Sequence, residues 1–109
     1  MKQTVNARRI NLPKEQVAEF CRTWRIVELA LFGSVLRDDF RPDSDIDVLV
    51  SFATNAHWSL FDLVRMEAEL TGILGQQVDL VERAAVERSE NYIRRRHILQ
   101  SLEPVYVAR

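Results

Sequence analysis

Three aspartates stand where a carboxylate is costly. Asp45 and Asp47 lie in "DIDVLVSF" (45–52), and Asp79 lies in "QVDLVE" (77–82), both short stretches that otherwise read as buried strands. Residues two apart on a strand point the same way, so Asp45 and Asp47 would share a face. At a separation of ~6 Å and an effective dielectric of ~20, two carboxylates repel by roughly 3 kcal/mol. A cation resolves that repulsion. Hard divalent cations such as Mg²⁺ take oxygen ligands and keep positions open for phosphates and water. If the Asp79 strand lies beside the Asp45/Asp47 strand, three carboxylates gather. Such a cluster can hold two metals for in-line displacement at phosphorus.

Gly33-Ser34 stands in front of this pair, where an apolar stretch gives way to a turn. Glycine permits close backbone approach. Ser34 can cap the short helix or turn that follows, and free N–H groups there suit an anion such as a triphosphate. The P-loop spacing is absent. The phosphates would instead be held by Ser34, backbone amides and metal. Gly-Ser, ten residues, then Asp-x-Asp fixes four positions, and ordinary residue usage produces that by chance about once in a thousand such chains.

Each residue also has a plainer reading. Asp45 and Asp47 could begin a strand that faces solvent, but the Gly-Ser spacing and Asp79 both favour ligation. Asp79 alone could be an edge-strand charge. Capping and phosphate binding by Ser34 use one geometry, so both can hold. Asp38, Asp39 and Asp43 read as solvated loop charges. Arg94, Arg95 and Arg96 read as a solvated helix face, with an acidic partner or the triphosphate as the other option. His57 and His97 lack metal-ligand spacing and are structural or surface residues. Tyr92 and Tyr106 read as amphipathic packing rather than modification targets.

The elements that must position these groups follow from periodicity. "LPKEQVAEFCRTW" is expected to be helical, with Pro13 in its first turn and Val17, Phe20, Cys21 and Trp24 as one stripe. "IVELALF" (26–32) reads as a buried strand. In 45–52, Ile46, Val48, Val50 and Phe52 share one face, while Asp45, Asp47 and Leu49 share the other. Ser59, with Asp62 placed for a capping box, opens a helix to about Leu74. Its buried stripe is Leu63, Met66, Leu70, Ile73 and Leu74, and Gly72 and Gly75 end it. The strand 77–82 follows. "AAVERSENYIRRRHILQSL" reads as helical with a break near Ser89–Asn91, and "PVYVA" as a short edge strand. Alternating strands and helices give an α/β (α+β) class: a small mixed β-sheet packed with helices.

Bulk properties bound the rest. At 109 residues with 47% apolar content, the chain reads as a single domain spanning 1–109 with one core. With 15 Lys+Arg against 16 Asp+Glu, it lacks the basic surplus of a general nucleic-acid binder. The lone Cys21 reads as a core thiol in a reduced compartment. No signal peptide or membrane helix is evident, so the expectation is cytoplasmic, with no membrane partner. The apolar "PVYV" has no evident core role, which suggests homo- or hetero-oligomeric association.

"GSVLRDDFRPDSDID" resembles the GS-x10-D-x-D motif of the DNA polymerase β-like nucleotidyltransferase superfamily. The short chain and element order resemble its minimal nucleotidyltransferase (MNT) branch over roughly residues 12–107. The resemblance implies the nucleotidyltransferase fold and two Mg²⁺ ions on Asp45, Asp47 and Asp79. It implies ATP phosphates on Gly33 and Ser34, with Arg37 a further nucleotide contact. Many relatives carry Arg-Gly where this chain has Arg37-Asp38, which leaves the role of Arg37 open. MNT proteins of this size are often antitoxins paired with a HEPN-domain toxin. The implied activity is transfer of AMP from ATP to a toxin tyrosine, with release of pyrophosphate and Asp79 as acceptor of the hydroxyl proton. Two alternatives remain: a non-catalytic antitoxin that neutralises by binding, and a small-molecule nucleotidyltransferase. HEPN ribonucleases carry an Arg and a His separated by four to six residues. That pattern is missing here, so the toxin activity is expected in another chain.

Overall fold

The structure, a computed structural model, describes residues 12–33 and 44–108. Its elements run α1 (Lys14–Thr23), β1 (Ile26–Phe32), β2 (Ile46–Phe52), α2 (Leu60–Leu74), β3 (Val78–Glu82), α3 (Arg83–Glu87), α4 (Tyr92–Gln100) and β4 (Glu103–Val107). The four strands form one sheet in the order β3-β2-β1-β4. β1 is antiparallel to both β2 and β4, and β2 is parallel to β3. The parallel pair requires a crossover, and α2 supplies it. This is the expected mixed sheet packed with helices.

Both faces of the sheet are covered, which is why β2 is apolar at successive positions. On one face, Ile26, Leu29, Leu31, Ile46, Val48, Val50 and Val78 join Val17, Phe20 and Cys21 of α1 and Met66, Leu70 and Leu74 of α2 in the main core. On the other, Phe32 and Leu49 meet Val86 of α3 and Ile98 of α4 in a smaller cluster. Burial pushes the Cys21 thiol up to about 12, against a smaller downward pull from Arg22.

Local signals set most boundaries. Ser59 caps α2 reciprocally with Asp62: the Ser59 hydroxyl accepts the Asp62 N–H at 3.2 Å, and the Asp62 carboxylate accepts the Ser59 N–H at 2.9 Å. Gly75, at φ 78°, closes the helix in the left-handed region. Gly72 lies inside α2 rather than at its end. Pro13 takes the N-cap position of α1, one residue before the helical turn expected for it. Asn91 caps α4 by accepting the Arg94 N–H at 3.1 Å, which places the break between α3 and α4.

The two tryptophans join α1, α2 and the 53–58 connection. Their rings meet edge to face at 5.1 Å. Trp58 Nε1 donates to the Trp24 carbonyl at 2.9 Å, and Trp24 Nε1 donates to Glu69 at 2.9 Å. Of the C-terminal apolar residues, Val105 and Tyr106 pack against the main core from β4, while Pro104 and Val107 are exposed. Among the described residues, no helix is long and apolar enough to cross a membrane.

Candidate active site

One rung of the sheet carries the candidate chemistry. Phe32 of β1 pairs with Asp47 of β2, and Asp47 pairs with Asp79 of β3. Paired residues on neighbouring strands put their side chains on one face. The two carboxylates therefore lie on the Leu49 face, beside the cluster formed by Phe32, Leu49, Val86 and Ile98. Because β1 runs antiparallel to β2, its last residues arrive at the end of the sheet where β2 and β3 begin. Gly33 is thus brought beside Asp47.

The contact between them is close. Gly33 has φ +79°, a region that L side chains rarely adopt. A Cβ on it would collide with Oδ2 of Asp47 and sit 3.1 Å from its Cγ. What lies close to Gly33 is the Asp47 carboxylate. The half-buried Asp47 is held over the Gly33 backbone. Asp79 is more exposed.

Asp45 is placed differently from the sequence expectation. β2 begins at Ile46, so Asp45 stands one residue before the strand and is exposed. Even so, the entrance to β2 is anchored. The Ile46 N–H donates to the Gln77 carbonyl at 2.8 Å, and Gln76 Nε2 donates to the Ser44 carbonyl at 3.1 Å. These bonds tie the approach to Asp45 to the approach to Asp79. Among the described residues, no three His, Cys, Asp or Glu side chains stand together as a metal-holding group. What the structure joins is the pair Asp47–Asp79, with Asp45 at its margin. Ser34 and Arg37, like Asp38, Asp39 and Asp43, lie outside the described residues.

The donor set fits a hard divalent cation. It is all carboxylate oxygen, and two of its members share one rung. The absence of a side chain at Gly33 leaves room for the Asp47 carboxylate. Sequence reasoning did not find Gln76, Thr71 or Glu67. The last two reach from α2 to the backbone of β3, where the Val78 and Leu80 N–H groups donate to them at 3.0 and 2.9 Å. Their spacing of four residues on α2, beside the apolar stripe, was the only available signal.

The sequence profile of the family described as nucleotidyltransferase domain matches residues 13–102. The chain belongs to that family. The nucleotidyltransferase domain is 36% identical over 72 residues to a Methanocaldococcus jannaschii protein named as a candidate protein adenylyltransferase, covering 66% of this chain and 75% of the relative. It superposes on a solved candidate minimal nucleotidyltransferase with TM-score 0.63 and 33% identity, over 84% of this chain and 87% of that one. A solved complex of tri-AMPylated Shewanella oneidensis HEPN toxin with MNT antitoxin contains a chain that superposes with TM-score 0.59 and 19% identity, over 89% of this chain and 71% of that one. At that identity the last likeness is one of fold. The family and the fold agree with the motif resemblance drawn from residues 33–47.

Proposed function

We propose that this nucleotidyltransferase domain is an antitoxin that transfers AMP from ATP to a tyrosine hydroxyl of a HEPN-domain toxin, in the cytoplasm. The observation that carries the reading is the Asp47–Asp79 rung packed on Gly33. Similarity to a relative named as an adenylyltransferase, and to the fold of a chain solved in complex with an AMPylated toxin, supports the acceptor class.

Asp45, Asp47 and Asp79 would hold two Mg²⁺ ions, whose chemistry is to neutralise phosphate charge and acidify the incoming hydroxyl. Gly33 leaves the space that the Asp47 carboxylate fills. Ser34 and Arg37 are proposed to grip the phosphates. The acceptor oxygen forms a bond to the α-phosphorus, the bond from that phosphorus to the β-phosphate bridge breaks, and pyrophosphate leaves. The exposed Asp79 is the group that takes the hydroxyl proton.

The test is intact-mass spectrometry of a HEPN-domain partner incubated with this chain, ATP and Mg²⁺. One or more AMP increments on the partner are expected, and none with Asp47→Asn. An unmodified partner with the wild-type chain sinks the catalytic reading. Neutralisation in cells that survives the joint Asp45→Asn and Asp47→Asn change identifies a binding-only antitoxin, and label on a small metabolite identifies a small-molecule transferase.

A further inference from the structure

Among the described residues β3 is an edge strand, with a strand partner on one side of its backbone only. Its inner side is bonded to β2, with Asp79 in register with Asp47. On its outer side, the two N–H groups that flank Asp79 are both taken by side chains of α2. The Val78 N–H donates to Thr71 Oγ1 at 3.0 Å, and the Leu80 N–H donates to Glu67 Oε2 at 2.9 Å. Thr71 and Glu67 are four apart and lie on one face of the helix. The backbone on either side of Asp79 is thus gripped by the sheet from one edge and by a helix from the other.

An edge strand with free N–H groups frays and can slip in register. A slip of one residue turns every side chain to the opposite face. For β3 that would carry Asp79 off the rung it shares with Asp47 and replace it with Val78 or Leu80. We propose that Thr71 and Glu67 are positioning residues: they fix the register of β3 and so hold the Asp79 carboxylate where it shares a cation with Asp47. This rests on the reading of Asp79 as a metal ligand. It also assigns Glu67 a role apart from ligation, because one of its carboxylate oxygens is committed to the Leu80 amide.

The test is Mn²⁺ binding to the full chain, measured by electron paramagnetic resonance with a non-hydrolysable ATP analogue present and no acceptor. Urea unfolding runs in parallel. Thr71→Val and Glu67→Ala are each expected to weaken Mn²⁺ binding by about tenfold, the lower end of what residues behind a metal ligand contribute. Thr71→Ser and Glu67→Gln keep an acceptor oxygen and are expected to restore most of that affinity. In an Asp79→Asn background, Thr71→Val should weaken binding no further, since the two changes act through one ligand. Wild-type Mn²⁺ affinity in both Thr71→Val and Glu67→Ala overturns the proposal, as does an equal loss in the Asp79→Asn background. If Asp79→Asn alone binds Mn²⁺ like the wild type, the ligand reading itself fails and the proposal falls with it. Should Thr71→Val prove too unstable to purify, the comparison of Glu67→Gln with Glu67→Ala decides the matter.

Discussion

Oδ2 of Asp47 occupies the space in which a side chain on Gly33 would begin. The two residues are separated by thirteen others in sequence and meet because β1 and β2 are antiparallel with Phe32 opposite Asp47. The motif spacing is therefore a statement about packing as well as about ligands.

Replacing Gly33 tests that contact. Gly33→Ala places a Cβ at φ +79° and against the Asp47 carboxylate. A loss of about 2 kcal/mol in urea unfolding is expected from the backbone alone, together with at least a tenfold fall in AMP transfer as the carboxylate is displaced. Gly72 is the control. It lies inside α2, and a Cβ there meets nothing within 4 Å. Gly72→Ala is expected to stabilise the chain by roughly 0.5–1 kcal/mol and to leave transfer unchanged.

The carboxylate pair should trade stability against activity. Asp47 and Asp79 face each other on one rung, and like charges placed opposite one another are destabilising. In chelator-treated buffer, Asp79→Asn is expected to raise the unfolding free energy by about 0.5–1 kcal/mol while abolishing AMP transfer. Denaturation and mass spectrometry on one preparation measure both. Added Mg²⁺ should stabilise the wild type more than Asp79→Asn.

Cys21 predicts a slope in alkaline stability. Burial pushes its thiol well above the usual thiol range, up to about 12. The folded state therefore keeps a proton that the unfolded state releases above pH ~9. Stability contributed by the neutral thiol is complete below that pH and is lost as pH rises toward 12. The loss is about 1.4 kcal/mol per pH unit within the window. Cys21→Ala should lower stability by an amount that shrinks with rising pH across this range. In the native state, thiol reagents should react with Cys21 only as fast as the chain opens.

The cap of α2 is a local test. Ser59→Ala removes the acceptor for the Asp62 N–H and is expected to cost about 1 kcal/mol in urea unfolding. AMP transfer should stay near wild type at temperatures where the chain remains folded.

Features written within a few residues were legible in the sequence. The Ser59/Asp62 box, the stripe of α2 and the 26–32 strand all depend on near neighbours, and each is found where expected. Glycine often ends helices, which suggests Gly72 and Gly75 together as terminators, but the left-handed turn that closes α2 is at Gly75 alone. Alternation places Asp45 in β2, yet pairing begins only at Ile46, opposite Val78. The Asp47–Asp79 register and the reach of Thr71 and Glu67 to β3 were not legible. They join segments brought together only by the crossover, and a side chain bonded to a distant backbone leaves no periodic trace.

The tryptophan pair has an optical consequence. Both of the chain's tryptophans belong to the α1/α2 side of the sheet, while Asp47 and Asp79 lie on the α3/α4 side. Trp24 also leads into β1 at Ile26, six residues and about 20 Å of strand from Phe32. Indole emission should therefore follow the docking of α1 against α2 and remain silent when nucleotide arrives. A probe of binding would have to be introduced on the other layer, whereas a probe of folding is already built in.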